Sequence, residues 1–263
     1  MTNVNGGPIS QLSESVERLR ALIETADDAT LSAQSACADW SVAQVLAHLG
    51  AGAEIALAGL IAGLDGSDEP VAGESMQTIW DTYDALDDRA ALERAIAADR
   101  SLVEAFAQLT DAQLADVRVP FFTGPIPVEI FAAFRLSEHA VHTWDIETAN
   151  QPEGELEPTA AATILDNVVM ALFARLAQPL EIAASTVSVQ LVDSGRELTM
   201  RLGEPVGLTA RSANDACDGA MTTTTAAFVR LIYGRSGPGI GPSSTQVTGP
   251  VTMETIRTAF PGF

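Results

Sequence analysis

The stretch "SEHAVHTWDIETAN", residues 137–150, holds two of the chain's three histidines and sets a glutamate just before them. In a helix, Glu138 and His142 stand at i and i+4, so their side chains leave one face about 6 Å apart along the axis. That spacing lets two ligands grip one ion. His48, ninety residues before Glu138 in "VLAHLGA", supplies a third donor if its helix faces theirs. Two imidazoles and one carboxylate leave a coordination position open for water or substrate, and helix bundles build metal sites from facing helices in this way. Two plainer readings stand beside this one. A Glu/His pair at i, i+4 is an ordinary contact on a solvated helix face, and a histidine with apolar neighbours, as His48 has, can be a core residue with satisfied hydrogen bonds.

His139 follows Glu138 about 100° around the helix and so reads as pointing elsewhere, with replacement of Glu138 or His142 as a ligand the other reading. Asp145, three residues beyond His142, can orient that imidazole by accepting its second N–H, or can be a solvated helix-end carboxylate. Trp144 reads as core packing.

The elements that must carry these residues are helical. Residues 10–25, "SQLSESVERLRALIET", place Leu12, Val16, Leu19 and Leu22 at helical spacing. "ADWSVAQVLAHLG" offers Asp39 or Ser41 as an N-cap and starts a second, long helix. The "GAGAE" run within it suits close packing against a neighbour, although each glycine costs helix propensity. A Gly/Asp-rich break is followed by a short helix at "MQTIWDTYDAL" and a long one at "DRAALERAIAADRSLVEAFAQL". "ADVRVPFFTGPIPV" reads as an extended loop or short hairpin, after which "VEIFAAFRLSEHAVHTWDIETA" resumes helical periodicity. A bundle of four principal helices is the economical architecture for residues 1–150. Beyond the linker-like "NQPEGELEP" the pattern changes. A helix at 158–177, a hairpin at "STVSVQLVDSGRELTMRLG", a strand near "VGLTARS" and helices at "TTTAAFVRLIYGR" and "METIRTAF" make residues 151–263 an α+β domain. The chain is mainly α with a smaller α+β part.

Composition narrows the function classes. Acidic residues number 35 against 14 basic ones, all of them arginine, for a formal charge of -21. Such a surface repels a phosphate backbone, so neither nucleic acid nor an anionic membrane is an expected partner. The stretch "AQVLAHLGAGAEIALAGLIAGL" is long enough to span a bilayer but carries Gln44, His48 and Glu54, and reads as a buried helix. The first residues lack the pattern of a signal peptide, and Cys37 and Cys217 are far apart, so a cytoplasmic protein with reduced thiols is expected. Cys37 reads as a small core residue, and the acids around Cys217 argue against a reactive thiolate. The apolar pattern leaves the oligomeric state open. The lysine-free, alanine-rich composition suggests a GC-rich genome.

"ADWSVAQVLAHL", "RLSEHAVHTWDI", "AAFVRLIYGR" and the later "VTGP" together resemble the mycothiol-dependent maleylpyruvate isomerase family over almost the whole chain. The resemblance implies a DinB-like four-helix bundle at the N-terminus and a C-terminal α+β domain. It implies His48, Glu138 and His142 as ligands of a divalent metal, usually Zn2+, mycothiol as thiol cosubstrate, and a catalytic role for Arg235 in the "GR" motif. A structural ion pair at a helix end is the other reading of that arginine. Mycothiol belongs to GC-rich actinobacteria, in keeping with the composition. Tyr233 before "GR" and the extra His139 depart from the family pattern and bear on substrate identity.

The implied chemistry is thiol activation. A zinc-bound thiol is deprotonated at neutral pH. With a cis-enoyl acid, the sulfur adds to the C=C bond, the resulting single bond rotates, and elimination returns the trans isomer and the thiol. With other electrophiles the same attack ends in a thioether, so isomerase and S-transferase differ in the last step alone. Arg235 suits a substrate carboxylate, which a guanidinium binds bidentately. Two histidines and a carboxylate also hold iron(II) in oxygen-using enzymes, though usually on β-barrels. The non-enzymatic alternative is a metal- or small-ligand-binding regulatory protein of the same fold.

Overall fold

The computed structural model describes residues 6–150, 154–236 and 245–262. Residues 1–5, and 151–153 of the polar stretch after the bundle, lie outside these. The chain forms two compact units, Met1–Gln151 and Pro152–Phe263.

The first unit runs α1 (Pro8–Ile23), α2 (Asp28–Ser32), α3 (Val42–Leu64), α4 (Gly73–Asp84), α5 (Asp88–Ala107) and α6 (Asp111–Asp116). The strands β1 (Arg118–Val119) and β2 (Ile126–Pro127) and the helix α7 (Val128–Asn150) complete it. The long helices α1, α3, α5 and α7 make the bundle. α3 lies against α5 and α7, and α1 against α7 and α5. Their apolar stripes meet in a core that includes Leu19 and Ile23 of α1, Val45, Leu46 and Leu49 of α3, Leu92 of α5 and Ile146 of α7. A fully buried side chain of this kind contributes about 1.5–3 kcal/mol.

Ser41, not Asp39, caps α3. Its hydroxyl accepts from the Gln44 N–H at 3.2 Å, while Gln44 Oε1 accepts from the Ser41 N–H at 2.9 Å, a reciprocal box that satisfies two otherwise free donors. Asp39 instead turns the chain at φ 66°. The glycines of α3 bring it close to α5: a Cβ at Gly50 would stand 2.7 Å from Ala95 Cα. The polar residues of α3 all have partners. Gln44 closes the cap, His48 faces Glu138, and Glu54 accepts from Arg94 at 2.8 and 2.9 Å and from the Tyr83 hydroxyl at 3.0 Å. α3 is long and apolar enough to cross a membrane, as is the helical stretch Pro158–Leu176. Here α3 is a packed helix of the bundle.

The second unit begins with α8 (Pro158–Ile164), a π-helical turn (Leu165–Val169) and α9 (Met170–Leu176). The expected single helix thus contains a π turn. Strands β3 (Ser185–Leu191), β4 (Arg196–Leu202), β5 (Gly207–Ala210), β6 (Gly219–Thr223) and β7 (Gln246–Thr248) form one sheet, with α10 (Thr225–Ile232) after β6 and α11 (Met253–Ala259) at the end. Strand order is β5-β4-β3-β6-β7. β3 and β6 are parallel, and the other neighbours are antiparallel. Alternation sets the register, with Val187, Val189 and Leu191 of β3 and Leu198, Met200 and Leu202 of β4 buried.

Two strands of this sheet, β6 and β7, were not among the sequence-based expectations. β6 runs into the threonines with which the expected helix begins, sharing Thr223 with it. Thr223 ends the strand, Thr224 caps α10 by accepting from the Ala227 N–H, and the helix starts at Thr225.

Candidate metal centre

α3 and α7 carry the three ligands predicted for a metal, and the fold brings them together. Ligand atoms of His48, Glu138 and His142 all lie within 4.8 Å of one another. His48 Nε2 is 3.3 Å from Glu138 Oε2, and His142 Nε2 is 3.9 Å from the same oxygen. Ligands about 2.0–2.1 Å from a tetrahedral zinc ion stand roughly 3.3 Å apart, so small side-chain rotations would seat one. The set faces outward: 25% of the His48 side chain and 34% of the Glu138 side chain remain accessible, against 6% for His142.

Asp145 fixes His142. Its Oδ2 accepts from His142 Nδ1 at 2.9 Å, and its side chain is fully buried. A carboxylate accepts, so Nδ1 carries the hydrogen and Nε2 presents its lone pair toward Glu138. Burial lowers the His142 pKa below its ordinary value, by more than the hydrogen bond and charge of Asp145 and the charge of Glu138 raise it. A neutral imidazole, the ligating form, is therefore favoured at neutral pH. For Glu138, burial pushes the pKa up, but the hydrogen bond from His48 and the charges of His142, His48 and Arg135 outweigh it. The carboxyl sits below the usual glutamate value.

Two tryptophans flank the ligands. Trp40 has its ring centroid 5.0 Å from His48 and 6.0 Å from His142, and Trp80 of α4 stacks on His48 at 5.3 Å. The loop before α3 pins Trp40: its carbonyl accepts from the Ser35 N–H at 3.0 Å, the Ser35 hydroxyl at 2.8 Å and Gln34 Nε2 at 2.9 Å. Trp80 was not singled out from sequence, since nothing in the local pattern of α4 pairs it with a histidine on α3.

Cys37, His142 and Asp145 form a second close group of possible ligands, all buried. Within it, His142 Nδ1 already bonds Asp145, and all three residues are buried, whereas His48 and Glu138 of the first group are partly exposed. His139 points away from the ligands, into the core: its Nδ1 is 2.8 Å from Ser15 Oγ and its Nε2 3.2 Å from Asp99 Oδ2. Trp144 is buried, as expected.

Arg235 belongs to the second unit. Beyond the end of α10, Gly234 takes φ 76°, with its N–H donating to Leu231 O at 3.1 Å and the Arg235 N–H to Arg230 O at 2.8 Å. This Schellman closure needs glycine at the left-handed position and sets where Arg235 leaves the helix. The residue is buried, and its Nη1 donates to Tyr233 O at 2.7 Å, where the carbonyl end of a helix favours a cation. Cys217, expected among acids, instead has Arg211 Nη1 against its sulfur at 3.0 Å.

A four-helix bundle bearing two histidines and a carboxylate on facing helices, followed by a mixed α+β unit, defines the class of protein. Residues 12–147, a little over half of the chain, match the mycothiol maleylpyruvate isomerase N-terminal domain, and the chain belongs to that family. It is similar in fold to a crystal structure of the mycothiol-dependent maleylpyruvate isomerase at TM-score 0.66 and 15% identity, covering 93% of this chain and 95% of that one. A histidine-to-alanine mutant of that isomerase gives TM-score 0.65, 15% identity and 94% coverage of both chains. No curated protein sequence matches the chain significantly.

Proposed function

We propose that the protein is a metal-dependent enzyme that activates a low-molecular-weight thiol, mycothiol, for attack on a small electrophile, acting as a maleylpyruvate-type cis/trans isomerase or as a thiol S-transferase. The reading rests on one observation above all, the convergence of His48, Glu138 and His142 at a half-open face of the bundle. Family membership supports the thiol and the substrate class. On this reading residues 1–150 are the metal-binding domain, residues 151–263 the C-terminal α+β domain, and the enzyme works in the cytosol.

His48, Glu138 and His142 would hold a divalent metal, zinc suiting this donor set, and the bound ion would supply the acidity that turns a thiol into a thiolate at neutral pH. The residues of the chain prepare that event. Asp145 keeps Nε2 of His142 free to ligate. Glu138 contributes one negative charge, so that a divalent ion and one thiolate leave the centre neutral. Trp40 and Trp80 give the site apolar walls, against which a small unsaturated acid can lie. Arg235 is assigned to a carboxylate of the substrate, or to an anionic group of the adduct, through its planar guanidinium.

The test is the metal content of the untagged protein beside Glu138→Ala and His48→Ala. About one zinc per chain, lost in both variants, supports the reading and justifies assaying mycothiol-dependent isomerisation and thioether formation. Wild-type protein without metal after zinc supplementation refutes it.

A further inference from the structure

Beneath the three ligands runs a second polar chain. Asp99 of α5 accepts through Oδ1 from Arg135 Nη2 at 3.1 Å and through Oδ2 from His139 Nε2 at 3.2 Å. Arg135 Nη2 also donates to Leu49 O at 2.7 Å, and Ser15 of α1 stands at the far end, 2.8 Å from His139. All four side chains are buried. The chain ties the helices together next to the ligands: Leu49 follows His48 on α3, while His139 follows Glu138 on α7, and Arg135 precedes it by one turn. α3 is shaped to admit the guanidinium, since a Cβ at Gly52 would stand 2.8 Å from Arg135 Nη1.

A buried ion pair is a poor source of stability, because desolvation offsets its attraction and an apolar pair of similar volume does as well or better. Here its bonds reach both ligand-bearing helices, which gives it another role. We propose that Asp99 is a positioning residue for the metal ligands: it holds Arg135 against the Leu49 carbonyl and thereby sets His48 on α3 in register with Glu138 and His142 on α7. The proposal rests on the metal reading above. Asp99 also lines a cleft of about 250 Å³ between α1 and α5, but both its oxygens are engaged by Arg135 and His139, so its bonds serve the interior. Ser15 touches neither Asp99 nor α3 in this chain of bonds, and its loss loosens α1 without releasing Arg135.

The experiment compares wild-type protein, His48→Ala, Asp99→Asn, the double variant Asp99→Asn/Arg135→Met, which leaves no orphaned charge, and Ser15→Ala. Zinc affinity is measured by chelator competition, the ligand field by the visible absorption of the cobalt(II) form, and folding by thermal melts. Asp99→Asn and the double variant are expected to bind zinc about tenfold more weakly and to alter the cobalt bands, whereas Ser15→Ala melts earlier but keeps wild-type affinity and bands. Wild-type affinity and bands in the double variant overturn the proposal, as does an equal loss in Ser15→Ala, which would make general loosening the cause. If wild-type protein shows no zinc affinity that His48→Ala removes, the metal reading itself has failed, and the proposal falls with it.

Discussion

Replacing Asp145 by asparagine tests the geometry of the metal centre at its most constrained point. The carboxylate is fully buried and accepts from His142 Nδ1 at 2.9 Å, so water cannot take its place. Asparagine keeps the volume but removes the charge, and its amide can donate to Nδ1 as well as accept from it. The first change replaces a charge-assisted hydrogen bond, worth about 1.5–3 kcal/mol, by a neutral one worth about 1 kcal/mol. The second allows the tautomer with its hydrogen on Nε2, which cannot ligate, adding about 0.4 kcal/mol for two equally populated forms at RT of roughly 0.59 kcal/mol. Together they predict zinc binding weaker by about 1–2.4 kcal/mol, or roughly 5- to 60-fold, close to the range typical for losing a group that orients a metal-bound histidine. Chelator competition measures the affinity, and circular dichroism checks that the helices persist. Unchanged affinity in folded protein would refute the orienting role. The companion variant Cys37→Ser separates the two ligand groups: it leaves affinity unaltered if zinc sits at His48, Glu138 and His142. A loss as large as that of His48→Ala would move the metal toward Cys37.

Two further outcomes follow from the bundle. At Gly50→Ala the new Cβ would meet Tyr83 Oη at 2.5 Å and Ala95 Cα at 2.7 Å. The gain in helix propensity, about 1 kcal/mol, is smaller than an overpacking cost of about 3 kcal/mol against backbone. A net loss of about 2 kcal/mol should lower Tm by roughly 4–8 °C, and an unchanged or higher Tm would show that α3 and α5 are less close than described. For Glu54, the hydrogen bond from Arg94 holds the pKa below the ordinary glutamate value, with Tyr83 and the Arg94 charge assisting and burial opposing. A depressed carboxylate binds fewer protons folded than unfolded, so its stabilisation is present above the unfolded pKa and lost as pH falls through the folded one. Denaturant titrations should therefore show wild type more stable than Glu54→Gln at neutral pH and the difference shrinking in acid. A difference independent of pH would exclude the ion pair as its source.

The parts of this structure that were legible in the sequence are those set by local spacing. Helical periodicity located the four long helices, and the i, i+4 step of Glu138 and His142 placed both on one face. What was not legible depended on partners distant in sequence. Trp80 reaches His48 only because α4 folds back on α3. β6 is parallel to β3 across two intervening strands, so no hairpin signal announces it, and its threonines run into the cap of α10. One signal was present but unread. On α5 the buried positions Leu92, Ala95, Leu102 and Phe106 include Asp99 in their stripe, and an acid at a core position needs a buried partner.

That signal also explains why two neighbouring histidines do different things. α7 is buried nearly all round, so amphipathicity cannot separate the roles of its polar residues. Helix phase can. Arg135 and His139 form one i, i+4 pair, and Glu138 and His142 another displaced by three residues, so the two pairs lie on adjoining faces. Arg135 and His139 turn toward Asp99, which closes their hydrogen bonds inside the bundle. Glu138 and His142 turn toward His48, and there the donors converge with a side open to solvent. A pair that bonds a buried carboxylate inside the bundle serves the packing of the helices, whereas a pair that converges with spare lone pairs at an accessible face can hold a ligand. On that criterion His139 is the structural histidine and His142 the candidate ligand, a distinction that their closeness in sequence conceals.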